Sequence, residues 1–239
     1  MLLKRSFNKE IIDDFAISGE RLERALSELK VINYFLGGNS VSRKGISDLN
    51  RMSRFTDSTK ILDMGSGASD LFFRLKTNGK ITDLVSADLN LQACRFTREL
   101  HPGAKVVCCN ALMLPFKKNS FDIVHASLFF HHFREQEILD ILEQSYLLAE
   151  QGIVINDLRR SVPALAGIKV LTRLFSKSSM VKNDAPLSVK RGFTKRELKS
   201  IFSNFADCRF VIKRKWAFRW LIYCAKNARH ADPKPWSEK

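Results

Sequence analysis

Hydrophobic positions change their period along the chain, and each change predicts a different kind of element. Leu22, Ala25, Leu26, Leu29, Val31, Ile32 and Phe35 recur at helical spacing until Gly37-Gly38 stops the stripe. Ser40 to Thr56 is polar and basic and reads as a connector holding a short helix. From residue 59 the texture becomes short apolar runs. Residues 60–64, 81–87, 106–109, 121–126 and 152–155 read as strands, with helices through Leu71, Phe72 and Leu75, over 91–100 and from about 135 to 149. Strands alternating with helices predict right-handed βαβ units and a mainly parallel sheet. Residues 207–223 are long, aromatic and β-branched and break near Lys215, which suits a β-hairpin.

The predicted fold class is therefore α/β, a Rossmann-like and mainly parallel seven-stranded sheet with an antiparallel C-terminal hairpin, plus N-terminal helices. Residues 1–58 are expected to form a helical extension and residues 59–239 the main domain, with an insertion at about 162–193. An open parallel sheet binds ligands at the carboxyl ends of its strands, so the informative residues follow each strand. Gly65-Ser66-Gly67 follows the first, where glycine lets backbone approach a ligand closely. Asp88 ends the second strand, 21 residues after Gly67, where a carboxylate can accept from both ribose hydroxyls.

Four motifs in order carry a specific likeness. They are Ile61-Leu62-Asp63-Met64-Gly65-Ser66-Gly67, Asp88, Cys109-Asn110-Ala111-Leu112-Met113-Leu114-Pro115-Phe116 and Phe121-Asp122-Ile123-Val124-His125-Ala126-Ser127. Over about residues 59–160 the chain resembles the class I S-adenosylmethionine-dependent methyltransferases. Nicotinamide enzymes do not share the LPF-then-FDIV run. The resemblance implies S-adenosyl-L-methionine as cofactor. It implies that Gly65, Ser66 and Gly67 pass close to its methionine part, with Asp63 supporting that loop and the amino group. It implies further that Asp88 holds the ribose, Leu89 lies against the adenine, Asn110 and Ala111 meet the adenine edge, and Ser127 lies near the methionine end. Ser69 stands where the family often has a third glycine, and Asn110 where it has aspartate. Both changes make the site less permissive or less charged.

Methyl transfer from a sulfonium needs an aligned acceptor, and a hydroxyl acceptor must also lose a proton. His131 and His132, after the fourth strand, are candidate bases, or else a helix cap. Asp157, after the fifth, is a candidate base or hydrogen-bond anchor, and Arg159 and Arg160 could hold an anionic acceptor or simply be solvated. The stripe Val162, Leu165, Ile168, Val170, Leu171, Leu174, Phe175 carries Lys169 and Arg173, and suits either a lid over an apolar acceptor or ordinary packing. SLFFHHF, INDLRRS and NDAPLSVKRGF resemble bacterial quinone- and polyketide-type methyltransferases, which implies a small hydrophobic or phenolic acceptor methylated on oxygen. The segment after the fifth strand lacks the Asn/Asp-Pro-Pro-aromatic run of many nucleic-acid amino-methylating enzymes, so nucleic acid ranks lower.

Composition adds two points. The net charge of +15 is confined to the end of the chain: residues 1–158 carry 20 basic and 20 acidic side chains, and residues 159–239 carry 20 and 5. A basic surface attracts anions, so residues 159–239 are a candidate contact for a membrane surface or an acidic partner. RNA or protein methylation, or a non-catalytic cofactor-binding module, are the alternatives. The Lys213-Arg214-Lys215-Trp216 run with Arg219 and Trp220 fits single-strand or lipid contact, or an alternating strand with one face buried. The five cysteines show no CxxC spacing, so neither a disulfide framework nor a metal site is expected, and the cytoplasm is the expected location.

Overall fold

The structure is a computed structural model and describes residues 4–52, 59–68, 81–205, 208 and 210–226. After a 3-10 turn at Ile11–Asp13 come helices α1 (Glu20–Phe35) and α2 (Gly38–Met52). The alternating part follows with β1 (Thr59–Met64), β2 (Ile81–Asp88), α3 (Leu91–Leu100), β3 (Lys105–Cys108), β4 (Phe121–Ser127), a 3-10 turn (Phe130–His132), α4 (Glu135–Leu148) and β5 (Ala149–Leu158). Two further helices, α5 (Val162–Phe175) and α6 (Ser179–Arg191), precede α7 (Lys195–Ser203) and the hairpin β6 (Val211–Lys215) and β7 (Arg219–Ala225). The helix expected through Leu71, Phe72 and Leu75 lies outside the described residues, as do Ser69 and Asp207.

The sheet has seven strands in the order β3-β2-β1-β4-β5-β7-β6. β1 to β5 pair in parallel, and β7 runs antiparallel to both β5 and β6. This is the predicted architecture. The strand order reverses beside β1, so the carboxyl ends of β1, β2 and β4 open onto one crevice.

The short helix expected within 40–56 is a full 15-residue helix: Gly37, at φ 73°, ends α1, and α2 starts at the next residue, while 53–56 lie outside the described residues. Val41, Ile46 and Leu49 of α2 pack on Ile61, Ile123, Val154 and Leu221 of the sheet. Each such aliphatic side chain, once fully buried, stabilises by roughly 1.5–3 kcal/mol. A Cβ on Gly45 would lie 2.5 Å from Val154 Cγ1 and 2.6 Å from Leu221 Cδ1, so glycine is what lets the helix approach the strands. Few apolar positions and a glycine mid-helix made the helix look short; its apolar stripe is nonetheless packed on the sheet.

The other face of the sheet holds the larger core, where Leu62, Met64 and Val124 pack beneath α4 and α7. α7 begins as predicted, with Thr194 and Glu197 forming a capping box. The insertion at 162–193 is two helices, and its apolar stripe is split. Ile168 is buried, while Val162, Val170, Leu174 and Phe175 are exposed. The hairpin forms, but β7 does not alternate as one reading expected: residues 219–224 are all buried, Trp220 donating to the Phe193 carbonyl at 2.9 Å, while Trp216 stands exposed at the turn. The expectation of no disulfide is corrected, because Cys208 and Cys224 are bonded. They lie 16 residues apart, and only the hairpin brings them together, so their spacing alone carried no signal. Among the described residues, no helix is long and apolar enough to cross a membrane.

Candidate functional site

Residues from four strand ends meet at the crevice. Gly65 and Gly67 both take positive φ, 61° and 51°, a conformation that turns the chain sharply off β1. Asp88 ties the neighbouring strand ends together, accepting from Gly67 N and Asn90 N, each at 2.9 Å. Burial raises the Asp88 pKa despite those two donors. Asn90 then caps α3 by accepting from Gln92 N and Ala93 N. Leu89 is exposed beside it, with Ala111 half-buried on the next strand end. The Asn110 carboxamide oxygen accepts from Leu112 N at 3.0 Å, so it is already engaged in its own turn.

Two hydroxyls in this crevice, Ser66 Oγ and Ser127 Oγ, are buried without a hydrogen-bond partner. Buried polar groups are almost always satisfied, so an unpaired pair at one crevice marks a place for a ligand. Phe129 closes the crevice from above: a Cβ on Gly65 would come within 2.1 Å of its ring. Asp63 sits one residue before the strand end, on the α2 face. Its carboxylate meets His125 Nδ1 at 2.7 Å, and the other ring nitrogen meets Ser42 Oγ at 2.8 Å. It supports the strand end from beneath. Sequence reasoning missed this buried chain, because its members belong to three separate elements.

The second wall of the crevice is built from remote segments. His131 Nδ1 meets Asp157 Oδ1 at 2.7 Å, and Asp157 Oδ2 accepts from His131 N. Asp157 is fully buried; burial would raise its pKa, but the His131 charge and hydrogen bond outweigh that and lower it. His132 Nδ1 meets Asp13 Oδ1 at 2.8 Å. Asp13 and Glu10 come from the segment before α1, which lies across the 3-10 turn. Arg191 of α6 locks it there, donating to Asp13 Oδ2 at 2.7 Å and to the carbonyls of His131 and His132. Arg5 donates to the His131 and Arg191 carbonyls, and Asp184 accepts from Ile11 N and Ile12 N. Burial pushes the Glu10 carboxyl up to about 7, against the pull of His132 and Arg191.

The structure thus brings His131, His132 and Asp157 together, with the first and last buried and His132 partly open. Arg160 is corrected as a possible acceptor clamp. It is buried, and its guanidinium binds the Gly192 carbonyl and Glu197. Glu10 and Asp13 carried no motif beyond an acid-rich run before the first helix, and Asp184 and Arg191 lie in the NDAPLSVKRGF segment, whose likeness assigned them no role.

A methyltransferase-domain family model matches residues 62–155, from β1 into β5. Residues 62–155 thus match a methyltransferase domain, and the sheet that contains them has the fold of S-adenosylmethionine-dependent methyltransferases. The plantazolicin methyltransferase BpumL, solved with a pentazolic desmethylPZN analog and SAH, superposes on this chain with a TM-score of 0.67 at 15% identity, covering 90% of this chain and 98% of that one. The plantazolicin methyltransferase BamL, with a triazolic analog and SAH, gives 0.64 at 17% identity, over 86% and 94%. A SAM-dependent methyltransferase from Aquifex aeolicus gives 0.54 at 15% identity, over 76% and 88%. At such identities the likeness shows the fold. No curated protein sequence matches the chain at a significant level.

Proposed function

We propose that this methyltransferase moves a methyl group from S-adenosylmethionine to a small hydrophobic or phenolic acceptor, with oxygen as the favoured atom. The observation that carries the reading is the two-walled crevice: backbone and unpaired hydroxyls on one side, aromatic rings and imidazoles on the other. In this reading Gly65, Ser66, Gly67, Asp88, Leu89, Asn110, Ala111 and Ser127 hold the cofactor, with Asp63 beneath the loop. Phe129 and Phe133, whose rings pack at 4.7 Å, offer an apolar surface to the acceptor and keep water from the sulfonium. His131, aligned by Asp157, and His132, aligned by Asp13, are the groups that manage the acceptor's proton.

Residues 1–58 then act as an extension that completes the acceptor wall, and residues 162–193 as the insertion that holds it down. BpumL and BamL are solved with peptide-derived analogs, and their likeness in shape is consistent with an acceptor of modest size. The outward face of α5, with Val162, Val170 and Leu174 beside Lys169 and Arg173, suits a lipid surface or an acidic partner that presents such an acceptor. A landing surface for nucleic acid is less favoured, because Arg160, Arg191 and Arg219 of the basic final third are buried inside the fold.

Methyl-labelled cofactor offered with phenolic, lipid-like and RNA acceptors tests the reading. Transfer to a phenolic acceptor that survives high salt is expected. Transfer confined to RNA, with affinity falling steeply as salt rises, would replace this reading with the nucleic-acid one.

A further inference from the structure

Where the N-terminal segment crosses the 3-10 turn, each histidine has one ring nitrogen committed to a carboxylate. His131 Nδ1 is held by Asp157 at 2.7 Å and His132 Nδ1 by Asp13 at 2.8 Å. A histidine fixed in this way turns its other nitrogen outward as a lone-pair donor, the arrangement found behind metal-bound imidazoles. His131 Nε2 faces Glu10 Oε1 at 3.7 Å, too far for a hydrogen bond. That Glu10 oxygen is buried and has no hydrogen-bond partner among the described residues. One donor atom each from Glu10, His131 and His132 lies within 4.8 Å of the other two.

We infer that Glu10, His131 and His132 form a three-ligand site for a divalent cation of the zinc class, with one coordination position left open. Two imidazoles and one carboxylate are a donor set that zinc accepts, and three protein ligands leave room for a water or an acceptor oxygen. Tetrahedral coordination at about 2.0–2.1 Å per ligand needs donors roughly 3.4 Å apart; the His131–Glu10 donors stand at 3.7 Å and all three lie within 4.8 Å, so small side-chain shifts close the set around the ion. His132 is the partly exposed member, which puts the ion's entry on the crevice side.

The local charge permits it. Glu10, Asp13 and Asp157 are three acids, faced by Arg191 and Arg5. Arg191 lies 2.7 Å from Asp13 and 3.6 Å from Glu10, so Asp13 takes up most of its charge. With neutral imidazoles, one negative charge remains. A divalent ion turns that into one positive charge, which suits an ionised acceptor oxygen in the open position. The metal site stands on this geometry and does not depend on the acceptor proposed above.

The test uses the full chain, stripped with a chelator and titrated with Co2+ by visible absorption and with Zn2+ by calorimetry. The expected result is one equivalent bound, with visible cobalt bands of low coordination number. Binding should weaken at least ~100-fold in Glu10→Gln and His132→Gln, and about 10–100-fold in Asp13→Asn, which removes only the group behind a ligand. Thermal melting of each variant confirms folding, and Asp13→Asn, at a partly exposed site, serves if the buried changes do not fold. Absence of binding in wild type, or binding unaffected by all three substitutions, overturns the proposal. S-adenosylhomocysteine titrated into the same samples reports on the methyltransferase reading separately.

Discussion

The two walls of the crevice are built by opposite means. The proposed cofactor wall is local: Gly65 to Gly67 follow β1 directly, and Asp88 and Ser127 end β2 and β4. Its polar contacts are largely backbone N–H groups meeting one carboxylate, as when Gly67 and Asn90 donate to Asp88. The proposed acceptor wall is assembled over distance. Arg5 reaches Arg191 across 186 positions, and Ile11 reaches Asp184 across 173. The first wall follows once the sheet forms. The second forms only when the N-terminal segment docks on α6, so the two should respond differently to substitution.

The largest effect is expected at Gly65. Alanine there meets a left-handed backbone, a cost of about 1–2 kcal/mol, and its methyl collides with the Phe129 ring, 2.1 Å away. S-adenosylhomocysteine affinity should fall at least ~10-fold by calorimetry, since 1.4 kcal/mol is already a tenfold change. An unchanged affinity would mean that this loop does not touch the cofactor.

Asp184→Ala attacks the other wall. It removes the acceptor of two backbone N–H groups, each bond to a charged group being worth about 1.5–3 kcal/mol. Limited proteolysis should then cut within the first 18 residues, and the melting temperature should fall. Cofactor affinity should change by less than about threefold if the walls are independent. A larger loss would show that the docked segment also shapes the cofactor wall.

How much was legible follows the same division. The mainly parallel sheet, the hairpin and the Thr194 cap were readable, because each rests on local spacing and turn chemistry. The full length of α2 was not, because its few apolar positions gain their meaning only from the sheet beneath, and Gly45 only from the closeness of Val154 and Leu221. His131, His132 and Asp157 were legible as candidates, but their partners were not. Nothing in the sequence around Glu10 or Asp13 says that they reach residues more than a hundred positions away. The Cys208–Cys224 pair was missed because only the hairpin brings these two cysteines, 16 residues apart, together.

The smallest expected effect lies away from both walls, at Asp48. Burial would raise its pKa, but hydrogen bonds from Lys44 and Lys213 outweigh that and lower it. A lowered carboxylate adds stability above its unfolded value of about 3.9, and that stability is lost as pH falls below it. Melting followed over falling pH should show a slightly shallower loss in Asp48→Asn than in wild type, with cofactor binding untouched at neutral pH.

The central claim, that the crevice beside β1 and β2 binds S-adenosylmethionine, is tested most directly by calorimetric titration of the cofactor and S-adenosylhomocysteine into wild type and Asp88→Ala. The account predicts saturable binding to wild type, weakened by roughly 10-fold or more in the variant, as loss of a charged hydrogen-bond acceptor implies. No binding to wild type, or equal binding to both proteins, would contradict it.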